Sequence, residues 1–334
     1  MAQGRRRTCT RTRLINRRVL FAALAALPGC AVAEAPLARQ LTLAPLPTDS
    51  PLRLLGGFEI DRAALGFGGI SGLHLAPDMT LTIVSDLARF AELQLVLDDA
   101  LRPIALTLLR RGALGDGAGR PLSRGYAGDA ESLARLPDGT WLVGFERWHR
   151  IRRYRDLAGP GAPVMAPPGL EAAPTNAGLE ALAVLADGRW LALTEALAAP
   201  EHPGATRGWI GGPAGWQPLA WRAGPGMAPV DAAPLPDGGV LVLERAFSFL
   251  GGFRGRLTHL PAAALRPNQV LEGIELLPLS DPLPVENWEG VAVLAHAGRR
   301  LVALVSDDNE SPWQRSLFLL LEVTSLPEAA HAAR

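Results

Sequence analysis

The sequence predicts an all-β chain folded as a β-propeller, and three observations support this fold class. First, one pattern of strand, tight turn and strand occurs five times; the repeats begin at Gly68, Asp129, Asn176, Pro229 and Asn287. Second, equivalent positions of the repeats lie 60, 49, 50 and 59 residues apart; they are Ser71, Glu131, Glu180, Val230 and Glu289. Third, 29 prolines and 36 glycines separate short β-rich runs. Strand repeats of this length are typical of a radial array of sheets.

The third repeat illustrates the hairpin that all five share. An apolar run over 181–185 precedes Asp187-Gly188, and residues 190–194 return in the opposite direction. An Asp-Gly pair favours positive φ and therefore predicts a two-residue hairpin turn. The start of the first strand then lies beside the end of the second, so Glu180 and Glu195 should share one sheet edge.

The spacing of the repeats favours five four-stranded blades. The mean interval is about 54 residues, and the two ends of the chain together leave roughly one more interval. We expect the last blade to combine a strand from each terminus, LTLAPL from Leu41 and SLFLLLEV from Ser316. Six blades are the alternative if residues 93–128 contain a further sheet.

Residues 1–33 have the order of an export signal. Seven arginines precede an apolar run from Val19 to Leu27, which is too short to span a bilayer, and the segment has no acidic residue. Two endings remain open: a small-residue cleavage site at Ala31-Val32-Ala33, or a lipoprotein-type box that makes Cys30 the acylated first residue. Sec and twin-arginine export also remain open. We expect a periplasmic protein that is soluble or membrane-anchored through a lipid on Cys30.

The remaining chain is predicted to be a single propeller domain over 41–324 with a C-terminal tail at 325–334. Removal of 1–33 would take away seven of 33 basic residues and no acidic one, leaving a net charge of −7. An acidic body argues against nucleic acid as a partner, and we expect a monomer that binds a small molecule. Lysine is absent and both cysteines lie in the export segment, which excludes Schiff-base and thiol chemistry in the domain.

Acidic residues recur at the hairpin edges that should converge on the mouth of the central channel. Calcium prefers six to eight oxygen ligands, and crowded carboxylates repel one another unless a cation or protons are present. We therefore expect a calcium ion held by some of these candidate ligands: Asp86, Glu131, Glu180, Glu289 and Asp307. The alternative is structural, with the same carboxylates forming ion pairs or accepting backbone hydrogen bonds between blades.

The ordered motifs also resemble a known family. GISGL, DAESLARLPDGTWLVGFER, NAGLEALAV, LVLER, NWEGVAV and SDDN occur in this order, as in exported bacterial phytase-like proteins described as having esterase-like activity of phytase. The resemblance covers residues 41–323. It implies a β-propeller and a calcium-assisted hydrolase of phosphate or carboxylic esters.

For such a hydrolase we expect water to attack a metal-oriented substrate. Glu146 and Glu195 are the candidate catalytic carboxylates for activating that water, and Arg147 and Arg245 are candidates for a bidentate phosphate clamp. Phytate itself fits poorly, because the mouth is acidic and the DAxDPA and NNxD motifs of established propeller phytases are absent. A nucleophilic Ser71 is disfavoured, since no GxSxG motif is present.

Two other functions remain open from the sequence. One is a non-catalytic propeller that binds a ligand or protein across its mouth, because the fold by itself does not determine function. The other is a calcium-dependent lactonase-type hydrolase, which would use similar oxygen ligands on the axis.

Overall fold

The computed structural model describes residues 36–327, which form five antiparallel sheets. The predicted export segment at 1–33, including Cys30, and residues 328–334 of the predicted tail lie outside this range. Within it, helix is confined to α1 (Arg62–Leu65) and the 3₁₀ segments Leu170–Ala172 and Ala262–Ala264. No helix of the described part is long and apolar enough to cross a membrane.

The strands of residues 36–327 are short, as the frequent turn residues predict. In chain order they are β1 (Ala38–Gln40), β2 (Leu52–Ile60), β3 (Ile70–Leu75), β4 (Thr80–Ser85), β5 (Arg89–Leu97), β6 (Pro103–Ala113), β7 (Ala130–Arg135), β8 (Trp141–Phe145), β9 (Arg150–Tyr154), β10 (Ala162–Val164), β11 (Leu179–Val184), β12 (Trp190–Ala198), β13 (Thr206–Gly211), β14 (Gln217–Trp221), β15 (Ala228–Pro234), β16 (Val240–Ser248), β17 (Gly252–Leu260), β18 (Val270–Leu271), β19 (Ile274–Leu279), β20 (Asn287–His296), β21 (Arg299–Asp307) and β22 (Leu317–Val323).

The five sheets are the blades of a propeller. Blade I is β3–β4–β5–β6, blade II is β7–β8–β9–β10, and blade III is β11–β12–β13–β14 with β18 added in parallel. Blade IV is β15–β16–β17–β19, and blade V is β20–β21–β22–β2–β1. The innermost strands contact one another in the cyclic order β3, β7, β11, β15, β20 and back to β3. The prediction of five blades is confirmed. Residues 93–113 belong to blade I, so the six-blade alternative is wrong.

Blade V closes the ring with strands from both ends of the chain, as predicted, but the N-terminal strand is a different segment. β2 pairs with β22, from Leu52 opposite Val323 to Glu59 opposite Leu317. The segment 41–46 is not a strand. Pro45, and Pro47 just beyond, lack the N–H that a sheet ladder requires, and the leucines of the segment instead pack against the core between blades IV and V.

Four of the five inner hairpins turn through three residues rather than the predicted two, whereas blade V turns through two, Ala297 and Gly298, both with positive φ. In blade II, the Leu136 N–H donates to Thr140 O, and positive φ is confined to Gly139 within the turn. This is a turn closed by one left-handed glycine, in which Asp138 accepts the N–H of Thr140. The strand pairing that the turn was expected to produce is unchanged, with Arg135 opposite Trp141.

The axis of the propeller differs between its two ends. Midway along the inner strands, all five blades line a cavity of about 80 Å³ whose walls are mostly Leu, Val and Ala. The acidic residues of the hairpins lie at the ends where the inner strands begin and their partners end. We call this end of the propeller the mouth face. Its loops follow the second strand of each blade or precede the first.

Candidate functional site at the propeller axis

Every innermost strand contains a β-bulge at the equivalent position of the sequence repeat. The bulged residues are Ser71, Glu131, Glu180, Val230 and Glu289. A bulge inserts one residue that has no partner opposite and re-aims its side chain. The sequence repeat thus marks five irregular positions around the axis, and three of them carry glutamate.

A second ring of residues lies beside the bulges. In blade III, Leu179 before the bulge pairs with Thr194, and Glu195 follows directly. The same offset in the five blades gives Asp86, Glu146, Glu195, Arg245 and Asp307. Each blade therefore contributes two equivalent residues to the mouth. We call these ten residues, together with Asp129 and Asn287, the axial pocket.

Carboxylates from blades II and III approach closely. Oxygen atoms of Asp129, Glu131 and Glu146 lie within 4.8 Å of one another, and so do those of Glu146, Glu180 and Glu195. Glu146 belongs to both groups, and its Oε1 also accepts the N–H of Gly178 at 2.8 Å. The sequence predicted Glu146 and Glu195 as catalytic and Glu131 and Glu180 as metal ligands. The structure brings all four together, and their individual roles stay predictions.

Burial makes ionisation of this pocket costly. Desolvation raises the pKa of Glu131 well above its ordinary value, and the neighbouring Asp129 and Glu146 raise it further. Burial also raises the pKa of Glu180 well above its ordinary value, and the negative charge of Glu131 raises it further. A divalent cation would relieve both effects at once, because it compensates the buried charges without requiring protons.

The other side of the ring shows the same pattern. Burial raises the pKa of Asp86, Glu289 and Asp307 to about 7 in each case. After burial, the largest contribution for Asp86 is the charge of Asp307, and for Asp307 it is the charge of Glu289. The five predicted metal ligands are therefore neighbours in one electrostatic cluster, although no ion is part of the structure.

The two predicted clamp arginines are not equivalent. Arg245 belongs to the second ring, where its Nη2 lies 3.1 Å from Glu289 and 3.7 Å from Glu195. Arg147 follows Glu146 in a left-handed conformation (φ 55°) and forms an ion pair with Asp129. In the strand pairing, Arg245 occupies the position of Glu146, not that of Arg147. The two Glu-Arg dipeptides, at 146–147 and 244–245, are therefore offset by one residue, although their sequences are the same.

Glu244, the acidic member of the second dipeptide, lies outside the pocket. It is fully buried between blades III and IV, where it accepts hydrogen bonds from Trp221 Nε1 (3.1 Å), Gly224 N (2.9 Å) and Arg256 Nε (2.7 Å). This is the structural pairing that the sequence left open as an alternative for the acidic residues. Ser71 is likewise bonded internally, donating to Gly69 O at 3.2 Å.

Among the described residues, two polar atoms of the pocket are buried without a partner, apart from Asp129 Oδ2, which has only its ion pair with Arg147. Asn287 is 2% exposed; its Nδ2 is 3.5 Å from Asp307 Oδ2, and its Oδ1 has no hydrogen bond. Arg245 Nε is also buried and unpaired. Unsatisfied buried polar atoms are costly, and they are a common sign of a missing ion, water or ligand. The place of Asn287 in the repeat, two residues before Glu289, already puts its amide oxygen among the possible donors at the mouth.

The motifs that build this pocket are those of a defined family. A family model described as "Phytase-like: Esterase-like activity of phytase" matches residues 65–310. The chain belongs to this family. The match includes all ten ring residues, Asp129 and Asn287, and the resemblance predicted from the motifs is confirmed.

Comparisons beyond the family are distant. A gluconolactonase from Xanthomonas campestris is 13% identical over 85% of this chain and 99% of its own, with a TM-score of 0.43. The PQQ-bound aldose sugar dehydrogenase from Streptomyces coelicolor is also 13% identical, over 86% of this chain and 99% of its own, with a TM-score of 0.43. No curated protein sequence matches the chain. Similarity this low does not indicate an activity.

Proposed function

We propose that this protein is an exported, calcium-assisted hydrolase that cleaves carboxylic esters, including lactones, in the axial pocket. The observation that carries the proposal is the convergence of two rings of carboxylates on one buried site, together with the unpaired Oδ1 of Asn287. Such a set of hard oxygen donors fits calcium better than a soft metal. The ion would be held by carboxylates from among the five predicted ligands, which are Asp86, Glu131, Glu180, Glu289 and Asp307.

Calcium, when bound, would neutralise these carboxylates and polarise the carbonyl oxygen of the ester. Glu195 is the best placed general base, because its side chain is partly exposed and has only Arg245 Nη2, at 3.7 Å, as a counter-ion. It would accept a proton from the attacking water and return it to the leaving alcohol oxygen. Arg245, held by Glu289 at 3.1 Å, would keep Glu195 in position.

Carboxylic esters are favoured over polyphosphates for an electrostatic reason. Arg147 is paired with Asp129, and Arg245 is paired with two glutamates. Neither guanidinium of the predicted clamp is thus free of carboxylates. A highly charged phosphate ester would meet a predominantly acidic pocket, whereas a neutral ester would not be repelled.

The test is a substrate panel with and without chelator. We expect turnover of p-nitrophenyl acetate or a lactone that EGTA abolishes and calcium restores, with little turnover of p-nitrophenyl phosphate or phytate. Glu195→Gln should lower kcat about 100-fold, in the range for a general base. The exposed Glu171→Gln is the matched control and should be fully active.

Two results would contradict the proposal. No turnover of any substrate, combined with a thermal shift on calcium, would favour a non-catalytic binding propeller. Preferential turnover of phosphate esters would favour the phosphatase alternative. If Glu195→Gln lost activity only because calcium binding was lost, its calcium-induced thermal shift would disappear as well.

A further inference from the structure

Large apolar side chains are exposed around the axial pocket. On the mouth face they are Tyr126, Trp148, Phe247, Phe249, Leu250, Val285 and Trp313, while exposed Met165, in the connection from blade II to blade III, accepts the Nε1–H of Trp216 with its backbone oxygen. Three of them are almost entirely exposed, at 93% for Phe249, 96% for Leu250 and 91% for Trp313. Among the described residues, none of the hairpin turns at the opposite ends of the strands carries an exposed large hydrophobic residue. The two faces of the propeller therefore differ in character.

The β16–β17 hairpin is one projection of this rim. Its pairing continues three residues beyond Arg245, to Ser248 opposite Gly252. At 3.3 Å per residue the tip stands about 10 Å above the axial pocket. The rings of Phe247 and Phe253 are 4.8 Å apart and stiffen the hairpin below the tip. Phe249 and Leu250 are thus held away from the domain by paired strands.

The other exposed aromatic residues lie in mouth-face loops of other blades. Trp148 follows Arg147 in blade II, and its ring stacks on Tyr126 with centroids 6.4 Å apart and an interplanar angle of 10°. Trp313 lies in the loop between β21 and β22 of blade V, just after Asp307 and Asp308. The rim therefore consists of three separate apolar projections around an acidic depression.

The described chain also enters the fold at this face. β1 pairs antiparallel with β2, so Ala38 lies opposite Ile60, and the Asp61 N–H donates to Leu37 O. Ile60 in turn donates its N–H to Ser316 O, at the mouth end of β22. Cys30 precedes Pro36 by six positions in the sequence, and a chain of that length spans at most about 20 Å.

We infer that the mouth face rests on a lipid bilayer, with the rim residues inserted at the level of the head groups and the axial pocket opening toward the lipid. Trp, Tyr and Phe are the side chains preferred at membrane interfaces, and a few separated apolar projections can insert individually. Because the pocket is acidic, we expect binding to zwitterionic lipid without a requirement for anionic lipid. The inference does not depend on catalysis in the pocket.

A fluorescence experiment on the full chain tests the orientation directly. The protein is mixed with vesicles of phosphatidylcholine brominated near the top of its acyl chains, which quench only tryptophans in contact with lipid. We expect quenching that decreases when Trp313→Phe is introduced. Trp216→Phe, in a turn on the opposite face, is the matched control and should leave the quenching unchanged. Equal quenching in the two variants would overturn the inference.

A partition experiment tests the rim as a whole on a Cys30→Ser background, in which no lipid can be attached. The rim variant replaces Phe249, Leu250 and Trp313 by Ser and should reduce flotation with phosphatidylcholine vesicles at least tenfold. The control variant replaces exposed residues of β5 and β6 by Ser, which are Val96, Ile104 and Leu109. Melting curves of both variants check that the fold is retained.

Three outcomes of the partition experiment would refute the inference. The first is an equal loss of flotation in both variants. The second is binding that requires anionic lipid and disappears in high salt, which would indicate electrostatic attraction. The third is unchanged flotation of the rim variant together with a raised KM for a short soluble ester, or with loss of self-association, which would assign the rim to substrate or to a second copy.

Discussion

Raising the pH should destabilise the metal-free protein because of the axial pocket. The pKa of Asp307 is about 7 in the folded chain, against an ordinary value of 3.8. Below pH 4 the group is protonated in both states, and no cost arises. As the pH rises toward 7, the unfolded chain loses its proton first, so the folded state becomes progressively less stable.

The magnitude follows from the size of the shift. About three pKa units correspond to ~4 kcal/mol at 1.4 kcal/mol per unit. We take this single-group value for the whole cluster, because Asp86, Glu289 and Asp307 raise one another's pKa and their contributions are not additive. About two of these units, or ~3 kcal/mol, fall between pH 5 and pH 7, so at about 2–3 °C per kcal/mol for a domain of this size Tm should fall by roughly 7 °C between pH 5 and pH 8.

The assay is thermal unfolding by circular dichroism in EDTA and in calcium, from pH 5 to pH 8. In EDTA we expect the decrease of roughly 7 °C, and in calcium we expect Tm to be nearly independent of pH. Asp307→Asn keeps an acceptor for the Asn309 N–H and should reduce the decrease by about half, whereas the exposed Glu171→Gln should not. A metal-free Tm that is flat over this range would show that the carboxylates ionise without cost and would refute the reasoning.

Three further predictions concern single residues. Glu244→Ala should destabilise the fold by about 3 kcal/mol, because it leaves the buried N–H groups of Trp221 Nε1 and Gly224 without an acceptor and removes the buried partner of Arg256. Glu275→Ala, at the exposed side of the same arginine, should cost less than about 0.5 kcal/mol in urea unfolding. Gly69→Ala should weaken calcium binding at least tenfold, as measured by calorimetry. The φ of residue 69 is +69°, and the new Cβ would lie 1.9 Å from Asp86 Oδ1, so the Asp86 carboxylate would have to move. Unchanged affinity would exclude Asp86 as a ligand. Asn287→Asp should lower the metal-free Tm at pH 8 and enlarge the calcium-induced increase, whereas a smaller increase would place the ion elsewhere.

The sequence predicted the propeller and its blade number because these depend on local and periodic features. The repeated hairpin is a short-range pattern, and its spacing counts the blades directly. The N-terminal closing strand was misassigned to 41–46, since alternating leucines mark a packed segment whether or not it is hydrogen-bonded in a sheet. Prolines in and after that segment carried the missing information, because they cannot donate to a ladder.

Within the site, a motif that recurs in the sequence predicted equivalent places only where its copies also occupy the same position in the strand pairing. Glu131, Glu180 and Glu289 recur at one position of the repeat and are all bulge residues. The two Glu-Arg dipeptides also recur, yet only Arg245 reaches the axis, because Arg147 lies one residue further along its strand end. A shift of one residue turns a side chain to the other face of a strand.

The sequence by itself determined that acidic side chains recur at equivalent positions of four of the five repeats, and therefore that they gather around the axis. Only the tertiary structure decided which of them are buried together, which arginine joins them and which face carries the exposed aromatic rim. These properties depend on bulges, strand register and contacts between residues far apart in the chain, and such long-range geometry is not encoded in any local pattern.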